Sequence, residues 1–253
     1  MFLISINKSK KIFTAIFLMI NILIAFMFNF FIQAHADEFS YKSASEYNSS
    51  GIKKSDAGDY YGAIEDYTKA IKLDSAYSKA YYNRGNAKRK LENDREAIED
   101  YNKAISLNPR YVCAFNNRGN AKLDLGDYHG AISDYNRAIE IDPKHDKAYC
   151  NKGYAKYLLN DYNSAISNLN VAIELNPRYI SAYFRRGLAR YALNDYEGAI
   201  QDYNKTLELN PNHSKARRNI EKAQLALAGK TGLKTSRNKA ETPRLRNVQP
   251  HFD

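Results

Sequence analysis

The sequence predicts an all-α protein built as an α-α superhelix, with five stacked helix pairs closed by a capping helix. Three observations carry this prediction. Glycines recur at Gly51, Gly85, Gly119, Gly153 and Gly187, each 34 residues after the last. An Ala-Ile pair keeps the same spacing at Ala63, Ala97, Ala131, Ala165 and Ala199, and prolines follow it at Pro109, Pro143, Pro177 and Pro211. Between these markers Ala, Leu, Lys and Glu dominate, and apolar residues stand three or four apart, the spacing of helix rather than of strand. A unit of this size cannot bury its own apolar face, so stacked units share it.

Numbering each unit from its first residue gives 44–77, 78–111, 112–145, 146–179 and 180–213. Position 4 is aromatic throughout: Tyr47, Tyr81, Phe115, Tyr149 and Tyr183. Position 24 is Tyr67, Tyr101, Tyr135, Leu169 and Tyr203, and position 27 is Ala70, Ala104, Ala138, Ala172 and Thr206. The run Leu125-Gly126-Asp127-Tyr128 reads as helix stop, turn and restart within a unit. Asn176-Pro177 and Asn210-Pro211 break the chain between units. A glycine inside a helix costs about 1 kcal/mol against alanine, so position 8 must be small because two helices cross there. Residues 214–229 form the cap: Arg217 and Glu221 replace the aromatic and the glycine, while Ala223, Leu225 and Leu227 still cover the last unit.

Glycine at position 8, alanine at 20, an aromatic at 24 and proline at 32 make the period resemble the tetratricopeptide repeat. The resemblance spans residues 44–213. Ser75 in place of proline, Leu169 and Thr206 depart from it singly. Position 7 is Arg84, Arg118, Lys152 and Arg186 where the family usually has leucine, and position 11 is Lys88, Lys122, Lys156 and Arg190 where it usually has tyrosine. Position 23 is Asp66, Asp100, Asp134, Asn168 and Asp202, which suggests a basic–acidic pair in each unit, made within the unit or with the next one. In the fourth unit both partners weaken together, as Lys152 and Asn168.

The formal net charge of +10 suggests a nucleic-acid binder until the charge is located. Residues 1–36 contribute +3 and residues 214–253 contribute +7, so 37–213 sums to zero. A neutral main domain lacks the electrostatic footprint of nucleic-acid recognition, and no specific nucleic-acid binding is expected. In the first segment Lys8, Lys10 and Lys11 precede a nearly pure apolar run, Ile12 to Ile32, and then Ala34-His35-Ala36. That order is a secretory signal peptide over 1–36, cleaved after Ala36. The run is also long enough to stay as a membrane anchor. Both readings put the repeats outside the cytoplasm, periplasmic or secreted in the first case and anchored to the inner membrane in the second. No cysteine follows the run, which excludes a lipoprotein anchor. Residues 37–43 form a short linker. The tail, 230–253, is basic and aperiodic, and reads as a disordered end or as a contact for an anionic surface. Lys-, Asn-, Ile- and Tyr-rich usage hints at a bacterial source.

At about 100° per residue, positions 2, 5, 6, 9, 12 and 13 of each first helix fall on the face opposite the packing residues. The resemblance implies that this face lines a concave groove for partner peptides. Asn83, Asn86, Asn117, Asn120 and Asn151 lie on it and could hold an extended backbone, each amide offering donors and an acceptor. In the fourth and fifth units the face turns aromatic and apolar, with Tyr154, Tyr157, Phe184, Leu188 and Tyr191 beside Arg185. Such a surface, spared from internal packing, marks an interaction site unless the cap, the tail or superhelical curvature covers it. Some members of the resembled family clamp a C-terminal carboxylate with Lys and Asn. Here Asn86, Asn117 and Lys147 in one register, and Asn120, Asn151 and Arg185 in the next, each lack two of the five clamp residues.

The chemistry of an enzyme is missing. The five histidines never pair at i, i+4, no H-E-x-x-H occurs, and glycines come singly, so no catalytic residue, metal ligand or cofactor is expected. Cys113 and Cys150 stand at positions 2 and 5 of neighbouring groove helices, as groove thiols or, less naturally, a disulfide. The expected function is a non-enzymatic scaffold that holds an extended peptide or partner helix. The alternatives are a membrane-tethered envelope assembly factor and an accessory subunit of an enzyme on another chain.

Overall fold

The computed structural model describes residues 19–28 and 42–230. The A-H-A cleavage pattern, most of the 37–43 linker and nearly all of the 230–253 tail lie outside the described residues. Helix α1 covers residues 19–28. Among the described residues no helix is long and apolar enough to cross a membrane.

From residue 44 the chain is an uninterrupted series of helix pairs: α2 (Ala44–Asp56) with α3 (Tyr60–Leu73), α4 (Ser78–Lys90) with α5 (Asp94–Leu107), α6 (Val112–Asp124) with α7 (Tyr128–Ile141), α8 (Asp146–Leu158) with α9 (Tyr162–Leu175), and α10 (Ile180–Ala192) with α11 (Tyr196–Leu209). Helix α12 (Ser214–Lys230) packs on α11 as a further first helix would. The described residues contain no strand. Each pair packs on the next, the all-α superhelix that the period predicts.

Local chemistry sets the boundaries. The turn inside each pair needs a left-handed residue at position 15. Gly58 and Gly126 supply it at φ +82° and +83°, and Glu92, Asn160 and Asn194 supply it near +60°. The restart is capped by an aspartate: Asp127 accepts from the Gly130 N–H, as Asp59 does from Gly62 and Asp195 from Gly198. The crossing of each pair is close. A Cβ on Gly119 would stand 2.6 Å from Cε1 of Tyr135, which fills the space the glycine leaves. Around it the alanines of positions 3, 10 and 20 are fully buried, including Ala114, Ala121 and Ala131.

The charged pairs close within the unit. Nε and Nη2 of Arg84 donate to the two oxygens of Asp100 at 3.0 and 2.7 Å, and Lys88 joins at 2.9 Å. Arg118 grips Asp134 and Arg186 grips Asp202 in the same way. The remaining Nη1 reaches an oxygen of the preceding unit: Thr68 for Arg84, Asn102 for Arg118 and Asn170 for Arg186. Each arginine therefore closes its own unit and stitches it to the one before. The fourth unit has no such pair: Asn168 donates to the Ser164 carbonyl, and Lys156 turns to Asp161.

The inner face is narrower than helix geometry alone implies. Position 5 lies opposite the packing residues, yet Asn48, Asn116 and Cys150 are buried there. Curvature of the array brings position 6 of the following unit over it. Cys150 is thus a core side chain rather than a groove thiol, Cys113 is exposed, and both are free.

Candidate recognition groove

The asparagines of the inner wall form a ladder between units. Nδ2 of Asn83 donates to Oδ1 of Asn48 at 3.0 Å, and Nδ2 of Asn151 donates to Oδ1 of Asn116 at 3.1 Å. Nδ2 of Asn117 donates to Oδ1 of Asn86 at 2.9 Å and to the Tyr82 hydroxyl at 3.1 Å. Asn86 and Asn120 also accept the hydroxyls of the core tyrosines Tyr101 and Tyr135, at 2.7 and 2.8 Å. Asn48 and Asn116 are buried and the others half-buried, and their first use is to hold the stack together.

The ladder changes character at its C-terminal end. Arg185 takes the place of asparagine, and its Nη1 donates to Oδ1 of Asn151 at 2.9 Å and to the carbonyl and sulfur of Cys150, both at 3.3 Å. The guanidinium lies 4.4 Å from the ring centre of Tyr154, a face-on contact that orients it. Tyr154 stacks on Tyr157, which meets Tyr162 at 5.7 Å, and Tyr191 meets Tyr196 at 5.3 Å. Burial, then the neighbouring Tyr162 and Tyr154, raises the Tyr157 hydroxyl above its ordinary pKa, so it remains a neutral donor. Phe184 turns toward the cap, 4.7 Å from the His213 ring and 5.8 Å from Tyr203. It supports α12 more than it faces a partner.

Tyr157, Leu188 and Tyr191 meet Tyr203, Asn219 and Lys222 around a cavity of about 240 Å³. The structure therefore brings Tyr157, Leu188 and Tyr191 together and adds three residues that were not singled out for the groove, while Tyr154 lies under Arg185 and Phe184 faces the cap. Asn219 and Lys222 occupy positions 6 and 9 counted from Ser214, so carrying the repeat register into the cap would have found them. Tyr203 could be read only as core. The asparagines continue this wall along the inner face, but Asn83, Asn86, Asn117 and Asn151 are already engaged between units and Asn120 holds Tyr135 within its own.

This arrangement defines a class: an α-solenoid whose helix pairs are closed by alanine, tyrosine and ion pairs and whose inner face ends in a partly open aromatic cavity. Residues 78–111 and 180–213 match the tetratricopeptide repeat, and 56–92, 119–159 and 153–194 match the TPR repeat family. The chain belongs to the tetratricopeptide repeat family. Among solved structures it is similar to the MamA protein (26% identity, 68% of this chain and 94% of that one, TM-score 0.59). It is also similar to YrrB, described as a TPR protein with an unusual peptide-binding site (23%, 78% and 97%, TM-score 0.57). A third is TTC0263, described as a thermophilic TPR protein in Thermus thermophilus (20%, 72% and 100%, TM-score 0.60). The last two are likenesses of fold. No curated protein matches the chain.

Proposed function

We propose that this chain is a non-enzymatic interaction scaffold that holds an extended peptide or a partner helix at the C-terminal end of its concave groove. The observation that carries the reading is the cavity between α8, α10, α11 and α12, walled by Tyr157, Leu188 and Tyr191, which internal packing leaves partly open, over the buried Tyr203. Apolar, aromatic surface of this kind supplies binding energy when covered. The test is photo-crosslinking of the full-length chain in its native compartment, followed by the same experiment with Tyr157→Ser and Tyr191→Ser together. Loss of the crosslinked partner at unchanged helix content supports the groove. An unchanged crosslink pattern refutes it.

The scaffold acts outside the cytoplasm on this reading, supported by the order of Lys8, Lys10 and Lys11, the apolar run and Ala34-His35-Ala36. A second reading, a membrane-tethered assembly factor, is favoured by the length of the apolar run, Ile12 to Ile32. The mass of the chain isolated from cells separates the two, since cleavage removes residues 1–36. The basic tail adds a contact with an anionic surface. Salt-sensitive binding to anionic vesicles that disappears on truncation at Gly229 would support it.

A further inference from the structure

Four of the five groove asparagines have already spent their acceptor. Oδ1 of Asn86 accepts from Asn117 and from the Tyr101 hydroxyl, Oδ1 of Asn117 from Asn116, Oδ1 of Asn120 from the Tyr135 hydroxyl and Oδ1 of Asn151 from Arg185. The carboxylates beside them are engaged too: Asp124 accepts from Arg89, and Asp146 from Asn176 and the Lys147 N–H. What remains toward the C-terminal end is donors. Nδ2 of Asn120 and the Nε–Nη2 edge of Arg185 meet no acceptor among the described residues, and Lys222 meets no carboxylate there. Tyr157 and Tyr191 add hydroxyls at the cavity. Each ordinary peptide residue brings one N–H and one C=O. A groove that donates but has few acceptors to offer leaves such N–H groups unpaired, which weakens binding. Proline brings the C=O alone.

The spacing of the rings points the same way. Tyr157 and Tyr162 make a pair tilted by 50°, and Tyr191 and Tyr196 a pair tilted by 58°, so each pair is a V rather than a flat stack. Tyr157 and Tyr191 hold the same position on α8 and α10, two helices in contact. Packed helices lie about 8–10 Å apart, and a polyproline II turn of three residues advances about 9 Å. A segment in that conformation therefore presents its side chains at the step of the array. Charge does not select the partner, because Lys147, Arg185 and Lys222 share this stretch with Asp124 and Asp146.

Resting on the groove reading above, we propose that the segment this groove accepts is proline-rich and bound as a polyproline II helix. Prolines three residues apart meet the two tyrosine pairs in turn, and an apolar neighbour enters the cavity that Leu188 helps to wall. The backbone carbonyls accept from Lys222 and the tyrosine hydroxyls. That conformation exists before binding, so little ordering is left to be done at the groove.

The test is fluorescence anisotropy on the full-length chain with three labelled nonapeptides, built of Pro-Pro-Leu, Ala-Ala-Leu and Glu-Ala-Leu repeats. The Pro-Pro-Leu peptide is expected to bind about tenfold more tightly than the other two. Tyr157→Phe with Tyr191→Phe keeps the rings and removes the hydroxyls, and should weaken that peptide several-fold at unchanged helix content by circular dichroism. Should the double variant unfold, Lys222→Met at the exposed rim takes its place, with a few-fold loss expected for the same peptide. Equal or tighter binding of the Ala-Ala-Leu peptide overturns the proline assignment, and tighter binding of the Glu-Ala-Leu peptide overturns it in favour of an acidic segment. If Tyr157→Ser weakens whichever peptide binds, the groove reading survives that failure. If no peptide binds, or Tyr157→Ser changes nothing, both readings fall.

Discussion

The hydroxyl of Tyr135 donates to Oδ1 of Asn120 across 2.8 Å, joining a core side chain to one that the sequence places in the groove. Tyr101 and Asn86 repeat the bond in the preceding unit. It explains how tyrosine with no solvent exposure fills the space above Gly85 and Gly119: the ring is buried and the hydroxyl finds an amide at the edge. Where Tyr154 replaces that asparagine, Leu169 replaces the tyrosine, so no hydroxyl is left to satisfy. Tyr135→Phe should cost about 1 kcal/mol of stability, and Asn120→Ala about 2 kcal/mol, because the second leaves a buried donor without a partner. Denaturant unfolding measures both. An unchanged stability for Asn120→Ala would return that residue to the groove.

Gly119 tests the close crossing. A Cβ there collides with the Tyr135 ring, which packs in one buried cluster with Ala131, Ala155, Leu123 and Ile132. Gly119→Leu should destabilise the array by about 3 kcal/mol, the upper end of what overpacking costs. A melting temperature equal to that of the wild type would contradict the packing described.

The fourth unit lacks the arginine–aspartate grip and its stitch to the third. Lys152 has no ionic partner among the described residues, and burial, then Lys156, lowers its pKa. Lys152→Arg combined with Asn168→Asp rebuilds the geometry of Arg118 and Asp134, with Asn136 in the place that Asn102 holds for Arg118. The two substitutions should couple favourably by about 1 kcal/mol in a double-mutant cycle. Simple additivity would show that the grip contributes no net stability.

His145 makes this same junction sensitive to acid. It opens α8, its Nε2 is buried without a partner, and its Nδ1 stands 3.8 Å from Asp142. Burial lowers its pKa below 6.5, against the opposing pull of Asp142 and Asp146, and Lys147 adds to the lowering. A group whose pKa falls on folding binds fewer protons folded than unfolded. Its contribution to stability is therefore complete above the unfolded pKa and lost as pH drops through about 6.5 and below. Tyr77, Tyr111 and Tyr179 fill the equivalent position in other units, so His145→Tyr should remove this part of the loss between neutral pH and pH about 5. Identical pH profiles for the two chains would contradict the assignment.

The fold was legible because its signals are periodic. Gly119, Ala131 and Pro143 each have counterparts one period away, and each answers a steric demand that recurs in every unit. The groove was only partly legible. A helical wheel treats a helix as straight and alone, so it put Asn116 and Cys150 on the open face, whereas the curvature of the array buries both. It also could not tell that Asn117 and Asn151 would spend their amides on the unit before. At the aromatic end Tyr157, Leu188 and Tyr191 stand around the cavity, while Phe184 turns to the cap. Its closure by Asn219 and Lys222 was missed because Arg217 and Glu221 were read as breaking the repeat at the cap, although its groove positions keep the register.

Hydrogen exchange of the full-length chain, with and without the Pro-Pro-Leu peptide, tests the central claim most directly. The account predicts that added protection falls on α8, α10 and α12, the helices whose inner faces meet at the cavity. Protection confined to the outer helices α5, α7 and α9, or no protection at all, would contradict it.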